Sequence, residues 1–177
     1  ISAVDKNLYK SNLLENFLKR YFLKEKNIII NDKKNLTNGL LKFENIIGYS
    51  KSQIPPKTKI LKAILTLTSE GKEKNNQNIS VYKMLLKWDK ESSLKEINER
   101  LDQTKEELNL SFTITKENMN GTNSFDVTEN VQEWVDGQPN NGWLFVNDGN
   151  KNALWNFRSS EWDGIAERPM LTIIYKN

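Results

Sequence analysis

TNSFDVTENVQEWVDGQPNNGWLFVN, residues 122–147, carries three structural signals in succession. Phe125 and Val127 alternate with Ser124, Asp126 and Thr128, the period of a strand with one face buried. Thr128 then caps a short helix, in which Val131, Trp134 and Val135 fall at i, i+3 and i+4, with Gly137 just past its end. Pro139 and the turn Asn140-Asn141-Gly142 stop the helix and launch a second strand over 143–146. A helix this short is not stable alone in water. Its apolar stripe must lie on a larger apolar surface, and the only one this chain offers is a sheet.

Working outward, the clearest two-residue period lies upstream, where Leu61, Ala63, Leu65 and Leu67 alternate with Lys62, Ile64, Thr66 and Thr68. Before it come a β-branched run at 28–30 closed by Asn31-Asp32, and a strand at 40–43 with Leu41 and Phe43 on one face. Ile54-Pro55-Pro56 makes a rigid extended elbow. After it come a polar loop at 70–78, a strand at 79–86, and an alternating run at 110–115 through Leu110, Phe112 and Ile114. Downstream, Asn147-Asp148-Gly149-Asn150 reads as a hairpin turn. It leads to a strand with Ala153, Trp155 and Phe157 on one side, and Arg168-Pro169 precedes a last strand at 170–175. Two stretches break the pattern. Ser93 and Glu96 form a capping box for a surface helix over 92–109, with Leu94, Ile97, Leu101 and Leu108 at helical spacing. Residues 1–26 place Leu13, Leu14, Phe17, Leu18, Tyr21 and Phe22 on a helical stripe ending in basic residues, and read equally as a helix or a ragged strand pair. Eight or so short strands separated by turns predict an all-β protein, an antiparallel two-sheet β-sandwich with one or two short surface helices.

Composition narrows the chemistry. The 177 residues suit a single domain, with 37% hydrophobic and 28% charged residues. There is no His and no Cys, which removes His-based nucleophilic triads, His and thiolate zinc sites, Fe–S clusters and disulfides. Carboxylates, Lys and oxygen-ligand metals such as Ca²⁺ remain. The basic residues are 22 Lys and four Arg, a poor match to nucleic acid, where bidentate contacts favour Arg. No apolar run approaches the roughly 18 residues of a membrane span. The first residue is Ile1 rather than Met, as expected of a mature product or of a module excised from a larger extracellular protein. Asn is abundant enough that the four Asn-x-Ser/Thr sequons, at Asn35, Asn78, Asn109 and Asn120, are close to chance.

The order of these pieces resembles a known family. Leu40-Leu41-Lys42-Phe43, Ile54-Pro55-Pro56-Lys57-Thr58-Lys59-Ile60 and Ala63-Ile64-Leu65-Thr66-Leu67 come first. Val81-Tyr82-Lys83-Met84 with Trp88-Asp89 follows, then Phe125-Asp126-Val127-Thr128 with Val131-Gln132-Glu133-Trp134. Phe157, Ser159-Ser160-Glu161 and Arg168-Pro169-Met170-Leu171-Thr172 close the series. Together they are similar to the DNRLRE-type domain family, which includes carbohydrate-binding module family 96 and relatives of the archaeal disaggregatase domain. The match covers about residues 40–175. The chain departs from the family in its first third and after Trp88-Asp89, where the helical stretch replaces an expected Thr-Trp. The resemblance implies a jelly-roll-like β-sandwich, an accessory module of a secreted or cell-surface protein, and in some members binding of polysaccharides, acidic ones included.

Candidate binding residues follow from what a glycan needs, a flat aromatic face with directed polar groups. Trp155 and Trp162, flanking Arg158, are candidates for that platform. Lys42, Lys62 and Lys83 are expected to point away from the core and to serve an acidic glycan. Asn147, Asp148 and Asn150 around Gly149 could hold a structural Ca²⁺, or form a simple turn; no other cofactor is expected. Arg168 and Glu161 are expected to pair. Glu129 and Glu133 share a helix face without a cleft, so no enzyme is expected. The function expected is a non-catalytic carbohydrate-binding module. The alternative is a structural or adhesion module that contacts a protein or spaces a neighbouring domain of the parent chain.

Overall fold

The computed structural model describes residues 27–31, 39–69, 77–88, 108–114, 121–147 and 154–176. The stripe at 1–26, residues 92–107 of the helix expected over 92–109, and the turn residues 148–150 lie outside these. The strands are β1 (Asn27–Asn31), β2 (Gly39–Leu41), β3 (Lys59–Ser69), β4 (Gln77–Lys83), β5 (Leu108–Ile114), β6 (Gly121–Asp126), β7 (Trp143–Asn147), β8 (Leu154–Arg158) and β9 (Met170–Lys176). The helix α1 spans Thr128–Val135. Leu108 and Asn109, expected in a helix, belong to β5. One sheet runs β1-β8-β3-β6 with β9 also on β3, the other β2-β7-β4-β5, and the strand pairs are antiparallel. The protein is an all-β sandwich with a short helix.

The aromatic side chains join the layers. The Phe145 ring on β7 lies 5.5 Å from Phe157 and 6.2 Å from Trp155, both on β8 in the other sheet. Ala63, Leu65 and Leu67 of β3 and Leu171 and Ile173 of β9 fill the same core. The second sheet is also buried on its opposite face. Leu40, Leu144 and Tyr82 align across three strands by register, and all three are buried.

The alternation in β3 holds from Ala63 onward and shifts before it. A bulge between Ile60 and Lys62, opposite β9, inserts Leu61 as an extra residue. Ile60 takes the inward position, and Leu61, expected inside, is 43% exposed.

Helix α1 lies where β6 leaves β3. Val131, Trp134 and Val135 are buried, and the Trp134 ring sits 4.8 Å from that of Trp143 on β7. Its Gln132 side chain stands in for a neighbouring strand: the amide oxygen accepts from Ile60 N at 2.8 Å, and the amide nitrogen donates to Thr58 O at 3.3 Å. Thr128 does not cap the helix as expected. Its hydroxyl accepts from Ala63 N at 2.9 Å, while the Asp126 carboxylate accepts from Thr128 N at 3.0 Å. At the other end Gly137, with φ of 112°, lets its own N–H reach Trp134 O and that of Gln138 reach Glu133 O, a paired closure of the last turn.

Strands β8 and β9 share one edge of β3. Ser69 meets Gly121 of β6 on one side and Phe157 of β8 on the other, while Thr66 meets Ser124 on the first side and Met170 of β9 on the second. Both run antiparallel to β3, so they form one interrupted strand, and residues 159–169 leave and rejoin it as a compact excursion of the Ω-loop kind.

Candidate functional site

Four surface features are candidates, and the residues singled out above fall in only two of them. The excursion at 159–169 is packed on its own polar groups. Ser159 and Ser160 are buried at its base, Glu161 N donates to Ser159 Oγ at 3.0 Å, and Arg168 Nε donates to Trp162 O at 2.7 Å. Arg168 therefore holds the loop through a carbonyl, and the expected Arg168–Glu161 pair is replaced by Arg158–Glu167 at 3.4 Å. Arg158 and Trp162 do come together, the guanidinium 3.4 Å from the ring centroid, a cation–π contact. Trp162 is half-buried, with Ile165 beyond it 67% exposed.

Trp155 is not part of any surface. It is fully buried, 4.9 Å from Phe157 on the same strand, because its alternation with Asn156 turns it to the core. The lysines Lys42, Lys62 and Lys83 are not assembled. Lys62 lies in the first sheet, Lys83 in the second and Lys42 just after β2. Each has a carboxylate partner: Glu44 at 3.1 Å, Asp126 at 2.5 Å and Glu133 at 2.7 Å, respectively. Lys83 does not face outward, since its register partner on β7 is the buried Trp143. The Lys62 and Thr128 bonds pull the Asp126 carboxyl from an ordinary 3.8 down to about 2. This pair lines a depression of about 430 Å³ with Leu61, Thr128, Glu129 and Asn130. Of the three oxygen ligands considered for Ca²⁺, Asp148 and Asn150 lie outside the described residues, and Asn147 is described only as the end of β7.

The sequence reading missed two features. Lys59 and Lys176 are direct cross-strand partners at the open end of β3 and β9, with Lys57 two residues before. All three are exposed, and none has a carboxylate partner among the described residues. The bulge sets this register, and single-strand periodicity cannot reveal who stands opposite whom. Second, Tyr49 is 88% exposed at the tip of the β2–β3 connection. Its setting, Gly48-Tyr49-Ser50-Lys51 between Ile46-Ile47 and Ile54, was the available signal.

The fold alone defines a β-sandwich module. The chain matches no protein-family model, and no curated protein sequence matches it significantly.

Proposed function

We propose that this chain is a non-catalytic carbohydrate-binding module of a secreted or cell-surface protein, of the DNRLRE type, and that it takes an acidic polysaccharide. The observation that carries the reading is the Lys59–Lys176 pair. Like charges directly opposite in an antiparallel ladder are destabilising, and no carboxylate relieves them among the described residues. Lysines on an edge strand discourage strand addition, which accounts for Lys176 on β9. It does not call for a second lysine facing it from β3. A uronate carboxylate or a sulfate would bridge both ammonium groups with charge-assisted hydrogen bonds.

Affinity electrophoresis tests this. The chain is expected to be retarded in gels containing polygalacturonate, less so as salt rises, and K59Q/K176Q to lose the retardation. Equal mobility of both proteins in gels of acidic and neutral polysaccharides would overturn it. A structural or adhesion module is the second reading, favoured by Ile165 standing exposed on a tightly bonded excursion. It expects no retardation in any glycan gel, and a contact with a neighbouring domain of the parent protein that I165D abolishes.

A further inference from the structure

The β2–β3 connection is built to hold one aromatic ring away from the protein. Ile46 and Ile54 anchor it, each 1% exposed. Between them Gly48 N donates to Ile54 O at 3.0 Å and Ile54 N to Ile46 O at 2.9 Å. The Gln53 side chain closes the tip: its amide oxygen accepts from Ser50 N at 3.1 Å, and its amide nitrogen donates to Asn45 O at 3.0 Å. A Cβ at Gly48 would stand 2.2 Å from Gln53 Oε1, so any larger residue there displaces the Gln53 side chain from the tip. The loop is thus ordered by its own bonds, and what it presents is Tyr49. Every other aromatic side chain with described burial is buried or half-buried. Folding gains nothing from leaving a ring in water, whereas a partner gains from one that is already fixed, because little entropy is lost on contact.

We infer that Tyr49 is a ligand-contacting residue that stacks on the C–H face of a sugar ring, with Lys51 beside it for a carboxylate or sulfate on that sugar. This rests on the carbohydrate-binding reading and adds to it a site separate from the residues the sequence pointed to. The surroundings of the ring choose the partner. Its neighbours at the tip, Ser50, Lys51 and Ser52, are exposed and polar, and Lys51 has no ion-pair partner among the described residues. A protein contact concentrates several apolar side chains around its aromatic anchor. A single ring bordered by hydroxyls and one ammonium instead complements a sugar, which is apolar on one face and polar around its edge. The same connection continues through Lys57 to Lys59. One stretch of chain therefore supplies both the ring and part of the lysine cluster.

The test compares Y49A, Y49F and K59Q/K176Q with the parent chain in polygalacturonate gels, with thermal unfolding alongside. Y49A is expected to bind about two- to twelvefold more weakly, the range for a lost aromatic contact, and Y49F to bind as the parent. Y49A and Y49F are expected to unfold at the parent temperature, because Tyr49 stands in water, and K59Q/K176Q at or above it, because facing like charges are removed. Oligogalacturonate is expected to shift the ring-proton resonances of Tyr49. Parent-like binding by Y49A, with K59Q/K176Q impaired, overturns the role of Tyr49 and leaves the carbohydrate reading standing. Failure of the parent chain to be retarded by any polysaccharide overturns both.

Discussion

Replacing Gln132 by Ala tests whether α1 acts as a surrogate strand for β3. Beyond the point where β6 departs, the Ile60 N–H has no strand partner on that edge, and Ile60 is 5% exposed. The Gln132 carboxamide meets this N–H at 2.8 Å, Thr58 O at 3.3 Å and the Asp136 carboxylate at 3.1 Å. Truncation to Ala orphans a largely buried donor, which costs about 1–3 kcal/mol. The Thr58 and Asp136 groups are better placed to recover bonds to water, so their loss adds little. The expected destabilisation is about 1.5–3 kcal/mol, read in urea as a lower midpoint at unchanged slope. For a chain this long, that corresponds to roughly 3–10 °C in Tm. E129Q, on the exposed side of the same helix, serves as control and is expected to stay within about 0.5 kcal/mol. A Q132A midpoint indistinguishable from that of E129Q would refute the reasoning, since the helix would then be resting on β3 without bonding its edge.

Three further outcomes are expected. Trp155→Ala is expected to cost about 3–5 kcal/mol, as for any fully buried Trp; a loss below about 0.5 kcal/mol would mean that the ring stands at the surface after all. Asp126 titrates at about 2 in the folded chain against an ordinary 3.8. Its contribution is complete above pH 3.8 and is lost as pH falls from 3.8 towards 2. With both ion-pair partners half exposed, that contribution is under about 1 kcal/mol. D126N is expected to flatten the acid limb of a stability–pH curve, and an unaltered limb would contradict this. Gly48→Ala is expected to push Gln53 off its two bonds and speed amide hydrogen exchange at Ser50 while global stability changes by less than about 1 kcal/mol. Unchanged exchange there would show that Gln53 does not hold the tip.

Much of the fold could be read from residue periodicity, because burial on a sheet enforces it locally. The strand–helix–strand order of residues 122–147, the helix stop at Gly137 and the alternation from Ala63 to Leu67 depend on neighbours close in sequence. Leu61 escaped because a bulge is defined by the partner strand, and nothing in its own neighbourhood marks an extra residue. Trp155 illustrates the limit for function. The strand period placed it on one side with Phe157, yet its chemistry suggested a platform, and packing against Phe145 decided between them. Lys62 is exposed as expected, but the ion pairs of Lys42, Lys62 and Lys83 were not anticipated. Glu44 is only two residues from Lys42, but Asp126 and Glu133 lie 64 and 50 residues from Lys62 and Lys83, so only tertiary structure discloses that those two charges are matched. The unmatched ones, Lys59 and Lys176, meet only through the β3–β9 register. Trp155, Arg158 and Trp162 were read together as one platform, and of these only Arg158 and Trp162 meet.

Two sheets face each other across one aromatic core. Nuclear Overhauser contacts between the ring protons of Phe145 and Phe157 test it most directly, because those residues belong to different sheets and their centroids lie 5.5 Å apart. Strong cross-peaks between the two rings are expected in the folded chain. Their absence, with both resonances assigned and sharp, would mean that the layers do not meet where described.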